Sequence, residues 1–97
     1  LVRSRAIRAL MLFKNDGIFK VLRGMIFDPL EPKEVRGAAM SNIGGFQSHH
    51  VVSILKQFIL SPTGNFRVNA ATGLAKLGTH QACAVIRAAL IKETDLE

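Results

Sequence analysis

The sequence predicts an all-α protein, an α-solenoid (α-α superhelix) of three stacked helical hairpins with six antiparallel helices. Three observations lead there. The 97-residue chain overlays on itself at a nearly constant offset, as stacked repeat units do. Each copy carries apolar residues at helical spacing in both of its halves. No segment alternates apolar and polar residues long enough to make a strand.

Shifting residues 1–29 by 33 positions gives seven identities in 29, namely Val2/Val35, Arg3/Arg36, Ala6/Ala39, Phe13/Phe46, Leu22/Leu55, Ile26/Ile59 and Pro29/Pro62. A further shift of 31 lays residues 35–60 over 66–91, with identities at Arg36/Arg67, Ala39/Ala70 and His49/His80. Residue class also agrees at Ile43/Leu74, Ile54/Val85, Leu55/Ile86 and Ile59/Leu90. The two-residue difference falls between Asp28 and Phe66 equivalents, where Pro29, Pro32, Pro62 and Gly64 mark loops and length is free to vary. The units are 1–28, 32–61 and 65–92, within a single segment spanning 1–97.

The expected helices are 2–14, 16–27, 32–44, 48–60, 65–77 and 80–92. First helices carry Ala6, Leu10 and Phe13, then Ala39, Ile43 and Phe46, then Ala70, Leu74 and Leu77. Second helices carry Ile18, Val21, Leu22, Met25 and Ile26 at i, i+3, i+4, i+7 and i+8. Val51, Ile54, Leu55, Phe58 and Ile59 repeat that stripe, as do Ala82, Val85, Ile86, Ala89 and Leu90, with a period near 3.6. Leu10, Leu22, Ile43, Leu55, Leu74 and Ile86 are therefore the expected core. Asn15, Ser48 and Thr79 align as N-caps, and Pro32 suits the first turn of a helix begun near Glu31. Gly78 and the Gly44-Gly45 pair suit the turns between helices. Gly24, Gly37 and Gly73, each costing about 1 kcal/mol inside a helix relative to Ala, suit close helix approach.

Composition narrows the function. Apolar residues make up 48% of the chain and mean hydropathy is +0.24, too apolar for a disordered tail. A single cysteine, Cys83, excludes a disulfide framework and suits a reducing, intracellular and cytoplasmic setting. No stretch reaches the ~20 apolar residues of a membrane span. Net charge is +6 and the pI is near 10.3, which favours acidic partners. The chain opens on Leu-Val-Arg, and its first helix carries Ile7, Leu10, Met11, Leu12 and Phe13 on more than one side. Neighbouring repeats of the same chain are therefore expected, with this segment in isolation either self-associating or fraying at helix 2–14.

The run Glu34-Val35-Arg36-Gly37-Ala38-Ala39 followed by Ile43-Gly44 returns as Phe66-Arg67-Val68-Asn69-Ala70-Ala71 followed by Leu74 and Gly78. This pattern resembles the HEAT-repeat family, and more closely its short phycobilisome-lyase-type variant. The resemblance spans residues 2–92 and implies a right-handed superhelix whose second helices line the concave face. It implies no single function, because such repeats serve as scaffolds, receptors, lyase-chaperones and a few enzymes. The HEAT-like deoxyhypusine hydroxylases use His-Glu pairs, whereas this chain has His49-His50 and His80-Gln81. No catalytic, cofactor-binding or metal residue is expected, and Cys83 reads as a core-edge residue without an accompanying base.

Two cationic ladders remain. Arg3, Arg36 and Arg67 sit near the start of each first helix and read as structural, bonding loop carbonyls or Asp28. Arg23, Lys56 and Arg87 follow Leu22, Leu55 and Ile86 at ~100° per residue, on the flank of the second-helix stripe. They are the candidate partner-binding residues, flanked by Lys20, Ser53 and Gln57. The expected function is a protein-interaction scaffold segment offering a basic groove to an acidic protein partner. The alternatives are a nucleic-acid-binding domain or the non-catalytic part of a lyase-type or other enzyme. Against nucleic acid, Phe is the only aromatic present and the basic residues spread over several faces.

Overall fold

A computed structural model describes residues 2–13, 15–48, 50–63 and 65–95, with side chains for these except residues 2–4, 10, 13 and 93–95. Six α-helices form among the described residues: α1 (Val2–Leu10), α2 (Asp16–Phe27), α3 (Lys33–Ile43), α4 (His50–Lys56), α5 (Phe66–Leu77) and α6 (His80–Asp95). Single 3₁₀ turns, Met11–Phe13 and Gly44–Phe46, extend α1 and α3. There is no strand among the described residues, and no helix among them is long and apolar enough to cross a membrane.

Helix starts follow the aligned caps. Asn15 Oδ1 accepts a hydrogen bond from the Ile18 N–H at 3.0 Å, and Thr79 Oγ1 accepts one from the Ala82 N–H at 3.1 Å. Each satisfies an orphan donor of the first turn. Ser48 Oγ accepts instead from the His50 N–H at 3.2 Å. Thr79→Ala is expected to cost ~1 kcal/mol, read as a lower unfolding midpoint with faster hydrogen exchange at the Ala82 amide. Gly78 closes α5 in the left-handed region at φ 68°, its N–H donating to the Leu74 carbonyl at 3.1 Å, as expected of a C-terminal glycine.

Three expectations change. Pro32 is itself the N-cap of α3, with no side-chain bond to the helix. The turn after α3 is made by Gln47, at φ 54°, and not by Gly44, which is right-handed and buried. Helix α4 ends at Lys56 and not at residue 60. From there the backbone tightens, with the Phe58 N–H donating to Leu55 O at 2.9 Å and the Ser61 N–H to Phe58 O at 3.1 Å. Pro62 disfavours helical backbone at the residue before it, and the tightened turns carry the chain out to that loop. Phe58 thereby lies between Phe27 and Phe66, with ring centroids 5.7 and 5.9 Å away. One aromatic from each unit joins this row.

The first helices lie side by side in chain order, α1 against α3 and α3 against α5. Each second helix also packs on the next unit's first helix, α2 on α3 and α4 on α5, while α6 meets both α5 and α4. The molecule is accordingly elongated, 40 × 27 × 17 Å along its principal axes. A single apolar cluster runs through all three units, from Ile7, Leu22 and Ile26 through Met40, Ile43 and Leu55 to Leu74 and Ala82. Of the expected core, Leu22, Ile43, Leu55 and Leu74 are buried, Ile86 is half-buried, and Leu10 lies outside the described side chains. Among the described side chains of α1, Ile7 is buried.

The tightest approach is between α3 and α5. A methyl group on Gly44 would run into the backbone carbonyl of Gly73, and one on Gly37 into the Asn69 side-chain amide. A methyl on Gly73 would meet the Met40 carbonyl oxygen and, at 2.6 Å, Leu55 Cδ1. Glycine is required there because backbone approaches backbone. Gly24 does not share this role: it is exposed, with nothing within 4 Å of an added methyl.

Candidate functional site

The second helices present their polar flank from residues just past the core stripe. Arg23, Lys56 and Arg87 follow the inward-facing Leu22, Leu55 and Ile86, and all three are exposed. One residue's rotation along a helix carries the side chain ~100° from the buried stripe, so this placement follows from helical geometry. Lys20, Ser53 and Gln57 are exposed as well. Gln57 Nε2 donates to the Ser53 carbonyl at 3.2 Å, back along the same helix.

A groove opens between the end of α4 and the outer side of α6. One part, about 380 Å³, is walled by Ile59, Leu60, Ala84, Val85 and Ala88, with Lys56 and Lys92 among its lining residues. It shares Lys56, Ala84 and Val85 with an adjoining hollow reaching Val52, Ser53 and Gln81. Ala84 and Ala88 stand one helical turn apart and keep the α6 wall low. The floor is apolar, and among the described residues both charged lining residues are cations and none is acidic. Such a surface suits a partner that brings apolar side chains flanked by carboxylates.

The structure brings Lys56 together with Lys92, a residue the repeat register does not single out. Lys92 aligns with Ser61 and Asp28 in the other units, so a search for retained charge passes over it. Its signal is helical: it lies four residues after Ala88 and eight after Ala84, on one face of α6. Arg87 is exposed on α6 but lines neither hollow, and Arg23 lies on α2, a unit away.

In the other ladder, Arg36 is tied into the packing. Arg36 Nε donates to the Ile26 carbonyl at 2.9 Å, and its guanidinium carbon lies 5.0 Å from the Phe66 ring centroid. Ile26 belongs to the last turn of α2, whose carbonyls lack partners within the helix and favour a nearby cation. Arg36 thus joins unit one to unit three through unit two. Arg67 is exposed at a hollow it shares with Ile59, and the Arg3 side chain lies outside the described residues. Cys83, His50 and His80 are exposed, and His49 lies outside the described residues. No group of three or more His, Cys, Asp or Glu side chains gathers at one place among the described residues.

Residues 66–92 match the family model of the PBS lyase HEAT-like repeat. The matched stretch is the third helical pair, α5 with most of α6, and carries the Arg67, Ala70, Leu74 and Gly78 pattern from which the resemblance was drawn. No curated protein and no solved structure matches the chain.

Proposed function

We propose that this chain is a protein-interaction segment of a right-handed α-solenoid, built from three stacked helical hairpins at 1–28, 32–61 and 65–92. Its second-helix surface receives an acidic protein partner. The observation that carries this reading is the apolar groove between α4 and α6, with Lys56 and Lys92 among its walls and no acidic lining residue among the described residues. Arg23 and Arg87, exposed at the register position of Lys56, extend the positive field beyond the groove itself. The HEAT-like match at residues 66–92 supports a helical repeat whose work is to present a surface.

Exposed charge pairs are worth ~0.2–1 kcal/mol each. The cations therefore act mainly on association rate and orientation, and the groove's apolar floor supplies retention. Replacing Arg23, Lys56 and Arg87 together by Gln is expected to leave the helical signal and unfolding midpoint unchanged. Association with the partner captured by the parent chain should slow about tenfold at low salt, and its salt dependence should flatten. Stopped-flow association at two ionic strengths reads both effects. Equal rates for parent and variant at low salt would overturn the reading.

A further inference from the structure

Acidic charge in the middle of this basic chain is confined to one place. Between residues 17 and 92 the acidic residues are Asp28, Glu31 and Glu34, all at the first junction between units. The same junction carries two residues more than the second, where Ser61-Pro62-Thr63-Gly64-Asn65 contains no acid. The second junction joins its units without the extra length or the charge. Stacking therefore does not explain either feature.

The junction holds an apolar side chain outward. Asp28 Oδ1 accepts a hydrogen bond from the Leu30 N–H at 2.9 Å, and the Glu31 N–H donates to the Asp28 carbonyl at 3.2 Å. Residues 28–31 thus form a β-turn with Pro29 and Leu30 at its centre, Pro29 presetting the first central position. Pro32 then leads directly into α3. Leu30 is 90% exposed, so it is not seated in the groove of its own chain. An apolar group carried on a turn this constrained loses little freedom when it docks.

The groove between α4 and α6 offers the complement. It lies between two units, with Ile59, Leu60 and Val85 for an apolar lining and Lys56 and Lys92 among its walls. Ala84 and Ala88 stand where the middle unit has Ser53 and Gln57, and about 380 Å³ is room for a leucine side chain. We propose that the 28–31 turn of one copy docks in the α4/α6 groove of a second, with Leu30 on the apolar floor and the turn's negative charge in the field of Lys56 and Lys92. This rests on the reading of that groove as a site for acidic protein, and names a second copy as the occupant. The complementarity is local. Each whole copy carries +6, so the copies repel at long range and the contact forms only at high protein concentration.

Two variants of the 97-residue chain isolate the contact. Leu30→Ser removes the docking side chain and keeps the groove. Ala88→Gln keeps the turn and fills the groove with the residue the middle unit carries at that register. Both positions are exposed, and circular dichroism should show the parent's helical content in each. Titrating unlabelled Ala88→Gln into ¹⁵N-labelled Leu30→Ser should move amide resonances of residues 56–60 and 84–92, saturably. The unlabelled double variant, lacking the leucine, should move none of them. Absent shifts, shifts confined to other residues, or equal shifts from the double variant would each overturn the proposal. Failure of the groove reading itself looks different: a separate protein partner captured by the parent would associate with Ala88→Gln as fast as with the parent. If instead that partner binds Ala88→Gln about tenfold more slowly while the two variants leave each other's spectra unchanged, the groove stands and the second copy is ruled out.

Discussion

Leu55→Ala is expected to lower stability by ~2–5 kcal/mol, the range for emptying a buried leucine site. Leu55 is fully buried in the apolar cluster, and its Cδ1 lies where a methyl on Gly73 would be placed. It belongs to the second helix of the middle unit yet packs at the first helix of the next. The cavity therefore opens at the joint between two units, where little can collapse to fill it. Chemical denaturation reads the loss as a lower midpoint with an unchanged slope. An unchanged midpoint would remove Leu55 from the core.

Gly44→Ala is expected to cost ~3 kcal/mol, at the upper end of overpacking penalties, although the substitution raises intrinsic helix propensity. The added methyl collides with the Gly73 carbonyl, a backbone atom held by its own helix, so relief requires α3 and α5 to separate. For a domain of this size the unfolding temperature should fall by more than about 10 °C. Gly24→Ala is the control. With nothing within 4 Å of its added methyl, it should gain ~0.5–1 kcal/mol from helix propensity alone. Opposite signs at two helical glycines separate close approach from conformational freedom.

Much of the fold is legible from the 33- and 31-residue offsets, because helical stripes report which side of each helix is buried. Leu22, Leu55 and Leu74 follow from spacing alone. The turn at Gly44 does not, since a Gly-Gly pair reads equally as a loop or as a place where two backbones meet. Only the three-dimensional neighbour, Gly73, decides between them. Similarly, the 48–60 stripe continues past Lys56 as a pattern, but the helix stops because the chain must reach Pro62 and carry Phe58 to Phe27 and Phe66.

The candidate site was half legible. Lys56 follows from charge retained at one register position. Lys92 does not, because it faces the groove through its position on α6 and has no counterpart in the other units. Repeat alignment finds what the units share, whereas a groove between α4 and α6 also depends on what one unit has alone. The structural part played by Arg36 has the same character. Its register suggested a carbonyl partner, but the ring of Phe66 above it belongs to a different unit.

The central claim is that the three units share one cooperative core rather than three separate ones, as expected when each repeat buries its apolar face on its neighbours. Native-state hydrogen exchange on parent and Leu55→Ala, amide by amide, tests it most directly. The account predicts that the substitution lowers protection by a similar factor in α2, α3, α5 and the buried part of α6. Loss of protection confined to α4, with α2 and α6 unchanged, would contradict it.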